Sequence, residues 1–399
     1  MSDHPPRAHA DDPMSARYRY YALAASLLLQ VCLGAIYAWS VFVAPLRLAA
    51  GLTQTIAQLP FTFFYFCFPL TMLFAGRLLH RFGPRVCAMT GGAVFGIGWL
   101  VASMGGLSYA WTVAGIGILA GIGVGFVYVV PIAVLVRWFP ASRGAVTGIA
   151  VAGFGGGALL VSQVAGAMIG GGMGPFEVFR LLGIVFLAVS VPAGWMMIYP
   201  PGSAHSTAEP LAALSIVRRP EFLVLYLCMV MGLAAGFAVN ANMRDLSAVG
   251  SSGAGLIAVG VFAVANAAGR PLWGFVFDRL PPRTVLLMNL AGQALLLFTA
   301  GLLLRGDAGY LAFAALVGLH YGGVLVLYAA MVVRIWGAAQ VGQVYGLLFS
   351  ANMIAAPAAT LSGAWFDAGG GFLAPLAVIG VCIVCAAVVF GRTASFRGI

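Results

Sequence analysis

Apolar residues run along this chain in blocks of about 20, parted by short polar segments in which arginine, glycine and proline recur. A block of that length crosses the hydrocarbon core of a bilayer as one helix. About twelve blocks can be counted, centred near Leu28, Phe68, Phe95, Gly121, Ala152, Ala188, Met231, Val261, Leu295, Val324, Ala355 and Cys382. The pattern predicts an all-α membrane protein of twelve transmembrane helices. The polar stretch from Met1 to about Arg19 lacks the basic, apolar and small-residue order of a cleaved signal, so the first block is expected to stay as a span.

The blocks and their punctuation repeat. Gly76-Arg77-Leu78-Leu79-His80-Arg81-Phe82-Gly83-Pro84-Arg85 follows the second block, and Gly274-Phe275-Val276-Phe277-Asp278-Arg279-Leu280-Pro281-Pro282-Arg283 follows the eighth. Gly76 and Gly274, Arg81 and Arg279, and Gly148 and Gly346 are each 198 residues apart, while Arg137-Trp138-Phe139 precedes Arg334-Ile335-Trp336 by 197. Four agreeing landmarks predict two pseudo-symmetric six-helix halves, residues 19–199 and 221–391. A polar linker at 200–220 joins them, with tails at 1–18 and 392–399.

Composition adds that 62% of the residues are hydrophobic and 8% charged, outside the range of soluble domains. A net charge of +10 would suit a nucleic-acid partner, but its placement does not. With twelve spans and the N-terminus inside, fifteen of the twenty basic residues fall on the cytoplasmic side, among them Arg77, Arg81, Arg85, Arg137, Arg279, Arg283 and Arg334. Arg47, Arg180, Arg244 and Arg305 fall outside, and Arg270 falls within a span. This is the positive-inside bias. It predicts a bacterial inner-membrane protein with both termini cytoplasmic, a lipid bilayer for its environment and no nucleic acid as partner.

Arg270 is the fixed charge set well inside an apolar block, Ala263–Phe277. An arginine at membrane depth costs roughly 2.5–3.5 kcal/mol on insertion scales, and a guanidinium cannot shed its proton to escape that cost. No Asp or Glu stands within a helical turn of it. An anionic ligand would supply the counter-charge, which points to a carrier for small carboxylates. The alternative is an arginine bonded to backbone carbonyls at a helix break before Pro271.

The loop Gly274-x-x-x-Asp278-Arg279-x-x-x-Arg283 resembles the cytoplasmic motif of major facilitator proteins, and Gly76, Arg81 and Arg85 repeat it with His80 in the acid's place. In that family these acids and arginines pair across helix ends and latch one conformation, so the six residues Asp278, Arg279, Arg283, Gly76, Arg81 and Arg85 are a candidate latch. The resemblance implies a substrate site between the halves near midplane.

Four further strings narrow it. They are Tyr37-Ala-Trp39-Ser in the first block, Arg137-Trp138-Phe139-Pro140-Ala-Ser-Arg143-Gly144 after the fourth, Asn266-Ala-Ala-Gly-Arg270-Pro271 in the eighth, and Tyr345 to Asn352 in the eleventh. Together they resemble the oxalate/formate antiporter group and the related monocarboxylate transporters, from about Tyr20 to about Val389.

That resemblance implies that Arg270 binds a substrate carboxylate, with a bidentate geometry no lysine reproduces. Asn266, four residues earlier on the same helix face, would contact substrate or orient Arg270. Asn352 stands where oxalate carriers place a second cation, so a single cation favours one negative charge. Tyr37, Tyr128 and Tyr321 match aromatic cavity positions; the alternative for each is interhelical packing. Trp39 is expected to pack, and Asn240 and Asn242 to bond helices near the outer end. His320 is the candidate proton carrier, or else a structural histidine facing a neighbouring helix. The bound carboxylate itself is the other proton route, since Asn266 replaces an aspartate of proton-coupled relatives.

The expected function is secondary active transport of a small monocarboxylate by alternating access, with H+ symport. Oxalate/formate-type exchange is the alternative, and a transport-inactive carboxylate sensor is the alternative of another class. The six cysteines sit in or beside apolar blocks as small hydrophobes, and Cys382-x-x-Cys385 has no second ligand pair. Gly121-x-Gly123-x-Gly125 lies inside an apolar helix with no preceding strand, which rules against a dinucleotide site. No nucleophile–base pair, metal-spaced cluster or cofactor motif is present. An enzyme is not expected, nor a metal or cofactor, and the carrier is expected to work as a monomer.

Overall fold

A computed structural model describes residues 13–140, 142–201, 213–246, 252–337 and 340–396, and no strand occurs among them. The tail ends and linker residues 202–212 lie outside the described residues. Eleven helices are long and apolar enough to cross a membrane. The longest, Gln54–Gly106, has 53 residues and carries two of the expected blocks, so the count is eleven where the sequence pattern predicts twelve. Gly83 breaks this helix with φ 77° and ψ 167°, a conformation glycine reaches because it has no Cβ. The polar loop expected between those two blocks is therefore a sharp break at Gly83-Pro84.

Shorter interruptions fall where side chains converge. A 3-10 turn, Gly34–Ala38, ends the first span and is buried throughout. Pro271 lies inside the helix Ser252–Phe277, and its missing N–H leaves the Ala267 carbonyl without its helical donor. The eleventh block is broken after Phe349 and again before Pro357. Helices Ser252–Phe277 and Asp307–Trp336 pack along their lengths, and Arg143–Gly170 packs against the former from the first half of the sequence.

At one end, side chains from the two halves of the sequence interlock. Asp367 accepts hydrogen bonds from the Gln54 and Thr55 backbone N–H groups at 2.8 Å each, and from the Thr55 hydroxyl at 2.5 Å. The Gln54 amide donates to Asn242 at 2.9 Å and to Asp245 at 3.1 Å. Gln58 donates to the Ala241 carbonyl and to Asn242. The Thr62 and Thr360 hydroxyls meet at 2.6 Å, and Arg244 reaches the Val41 carbonyl at 2.9 Å. Buried polar groups must find partners, and here they find them across the seam.

The arginine-rich end is built differently. Arg85 donates to the Trp195 carbonyl at 2.8 Å and stacks on its ring. Arg283, 198 residues on, donates to the Gly391 carbonyl. Arg279 lies over Phe275 at 3.3 Å and Arg81 over Phe82 at 5.2 Å, while a Cβ at Gly76 would meet open space. Asp278 is exposed, and its side chain makes no hydrogen bond or ion pair among the described residues. The four motif arginines therefore find carbonyls or rings within their own halves in this conformation.

Candidate functional site

Between the two ends the seam is aromatic. The 3-10 turn carries Tyr37 into it, and its hydroxyl meets that of Tyr321 at 3.3 Å. The Tyr321 ring fits a slot left by Gly236, where a Cβ would stand 2.0 Å from a ring carbon. Tyr37 also meets Phe154 edge-on at 5.2 Å. Tyr128 packs against Phe68, Phe154 and Phe349 with centroids 5.3, 5.7 and 6.3 Å apart. Rings at these separations and angles form offset and edge-to-face contacts that close a wall without filling it with polar atoms.

Arg270 is 6% exposed. Its charge interacts with the hydroxyl groups of Tyr128, Tyr321 and Tyr345. Counting 1.5 Å per helical residue from the interlocked end, Tyr65 lies about 16 Å deep, Tyr321 about 21 Å and Arg270 about 27 Å. Tyr65 and Tyr321 thus lie between the interlocked end and the guanidinium. A buried cation within electrostatic reach of phenols in an apolar seam is suited to one small anion.

The other sequence candidates are dispersed around this centre. Asn266 is fully buried, its amide oxygen lies against Gly322, and neither amide atom has a hydrogen-bond partner. It occupies the contact between the Ser252–Phe277 and Asp307–Trp336 helices, one turn before Arg270. The Asn352 amide donates to the Phe349 carbonyl at 2.7 Å and is buried. His320 is turned away from the phenol layer. Its Nδ1 meets the Leu316 carbonyl at 2.9 Å, its ring lies 5.4 Å from Trp273, and its Nε2 would stand 2.2 Å from a Cβ at Gly292. Trp39 packs on Phe42 and Phe179. Asn242 belongs to the interlocked end, whereas the Asn240 amide has no partner.

Two tyrosines were not candidates from the sequence. Tyr65 stacks on Tyr37 at 6.3 Å and 27°, and Tyr345 donates to the Leu325 carbonyl at 2.9 Å. Tyr65 lies in Phe61-Thr62-Phe63-Phe64-Tyr65-Phe66, where nothing marks one aromatic residue from its neighbours. Tyr345 opens a string that carries the family resemblance, which was its available signal. No group of three or more His, Cys, Asp or Glu able to hold a metal occurs among the described residues.

Residues 26–250 match the model of the Major Facilitator Superfamily. The chain is 27% identical over 353 residues to the oxalate:formate antiporter of Oxalobacter formigenes, covering 84% of this chain and 82% of that protein. It is 26% identical over 358 residues to apicoplast pyruvate carrier 1 of Toxoplasma gondii, covering 71% and 64% respectively. Among solved structures, the major facilitator transporter FucP in the outward conformation superposes with a TM-score of 0.60 at 16% identity, over 93% of this chain and 98% of FucP.

Proposed function

We propose that this chain, which belongs to the Major Facilitator Superfamily, is a secondary carrier of small monocarboxylates such as lactate, pyruvate, glycolate or formate. It is a multi-pass membrane transporter and not an enzyme. The observation that carries the substrate reading is Arg270, a buried cation within electrostatic reach of Tyr128 and Tyr321. The break at Gly83 divides the long helix into two passes, giving twelve in all, with both termini on the cytoplasmic side of a bacterial inner membrane. Residues 19–199 and 221–391 then move as two halves about the linker at 200–220. In this orientation the interlocked end is extracellular, and the conformation is closed to the outside.

The anion enters from the arginine-rich side and pairs with Arg270 between the halves. Neutralising the guanidinium lowers the cost of enclosing it in a low-dielectric seam, and the halves then rock. A carboxylate with pKa near about 4 is ionised at neutral pH, so symport brings one proton with each anion. The position of His320, against Gly292 and Trp273, favours the bound carboxylate as the proton's carrier. Exchange is the second reading, favoured by the 27% identity to an oxalate:formate antiporter. The carrier works as a monomer, since its seam lies within one chain.

Uptake of radiolabelled C1–C4 mono- and dicarboxylates into proteoliposomes, with and without a pH gradient, tests the proposal. Monocarboxylate uptake driven by the gradient supports it. Uptake requiring an internal carboxylate and indifferent to the gradient selects exchange. Absence of any carboxylate uptake or counterflow removes the proposal.

A further inference from the structure

We infer that Tyr65, with Tyr37 and Tyr321, forms a second polar pole of the site, which selects acids bearing an oxygen on C2 over those without one. The inference rests on Arg270 as the carboxylate anchor and names the part of the ligand that Arg270 does not hold.

Three phenols from three helical segments meet in the layer above Arg270. Tyr37 and Tyr321 share one hydrogen bond across the seam, long for two hydroxyls at 3.3 Å. The Tyr65 ring is fixed by Tyr37, by Phe61 at 4.8 Å and by Phe237 at 4.2 Å. Its hydroxyl approaches that of Tyr37, which already meets Tyr321, but does not reach hydrogen-bonding geometry. Tyr65 is 2% exposed. Each phenol has one proton to donate and two lone pairs. One bond of full geometry among three phenols leaves hydroxyl protons without a well-placed acceptor in a buried layer. A buried hydroxyl in that condition is costly to maintain, and a phenylalanine would fill the same space, as its neighbours Phe61, Phe64 and Phe68 do.

The arrangement has a direction. Arg270 interacts with Tyr321 and Tyr128, while Tyr65 lies farther toward the interlocked end. A ligand with its carboxylate on the guanidinium presents its remaining atoms to the phenol layer. A keto or hydroxyl oxygen on C2 accepts from the unspent phenol protons. Formate has no such atom, and acetate and propionate offer only hydrogens there. Tyr37 and Tyr321 belong to opposite halves, so an oxygen inserted between them is held by both.

Competition against bound radiolabelled lactate tests this on the purified wild type and on Tyr65→Phe, with pyruvate, lactate and propionate as competitors. Wild type is expected to prefer lactate and pyruvate to propionate by about tenfold to a hundredfold, the range for leaving a buried polar group unpaired. Tyr65→Phe, which keeps the ring, is expected to collapse that ratio. The wild-type comparison needs no variant, so it decides even where the variant fails to fold. Propionate binding as tightly as lactate to wild type overturns the inference and leaves the carboxylate reading standing. A ratio unchanged in a folded Tyr65→Phe overturns the assignment to Tyr65. A wild type that binds none of the three acids removes the Arg270 reading itself.

Discussion

Asp367 is expected to set how long the outer end stays closed. It sits at the end of the Pro357–Asp367 helix and accepts three hydrogen bonds from Gln54 and Thr55, where the next helix of the other half begins. Asp367→Asn removes the charge and turns one acceptor oxygen into an N–H donor facing other donors. Loss of a helix-capping acceptor costs about 0.5–2 kcal/mol, and loss of a negative charge at a helix N-terminus about 0.3–1 kcal/mol. Asp367 is exposed, so screening holds the sum to about 1–2 kcal/mol, a factor of about 5–30 in the closed-to-open ratio. The readout is a cysteine placed at buried Ala57, beside Gln54 and Thr55, in a variant whose six native cysteines are replaced. Labelling by a membrane-impermeant maleimide from outside should accelerate about five- to thirtyfold in Asp367→Asn. An unchanged rate, with the protein folded, would refute the argument that these bonds hold the end shut.

Three further expectations concern the seam. Arg270→Lys should lose most transport although the charge is kept, because a point ammonium cannot reproduce the bidentate fork; Arg270→Ala should abolish carboxylate binding, and near-normal uptake by it at low substrate would sink the central proposal. His320→Gln should leave the pH profile of uptake unchanged, since the imidazole is turned toward Gly292 and Trp273; a flattened profile would return the proton to His320. Asn352→Lys should add a second buried cation, so that oxalate or malonate gains binding and lactate-sized anions lose it; a wild type already preferring dicarboxylates would overturn the one-cation argument.

The spans were legible in the sequence because a bilayer permits so few alternatives: a helix must be apolar for about 20 residues. Arg270 was legible for the same reason, as a charge where charge is expensive. Facing was harder. His320 and Tyr321 are adjacent, and one helical step of about 100° places the first against Gly292 and the second against Tyr37. No periodicity argument separates them in a helix that is apolar on most sides. Asn240 and Asn242 read alike as polar residues near a span end, yet only Asn242 bonds across the seam. The interlocked end was least legible, since Gln54, Asp245 and Asp367 are ordinary polar residues at block ends. Their meeting depends on packing between segments as many as 313 residues apart.

The uneven distribution of these bonds bears on how such a carrier can turn over. Alternating access needs two conformations within a few kcal/mol of each other, or one is never visited. Among the described residues, the side-chain hydrogen bonds named across the seam gather at the interlocked end and at Tyr37–Tyr321, so parting the halves there breaks them together. Compensation must come from the other end as it closes. Asp278 is the natural source, its side chain exposed and without a hydrogen bond or ion pair among the described residues, beside Arg279 at the arginine-rich end. Arg85 and Arg283 are already engaged with carbonyls of their own halves. Asp278 is then expected to find its partner in the other conformation, closed at the arginine-rich end.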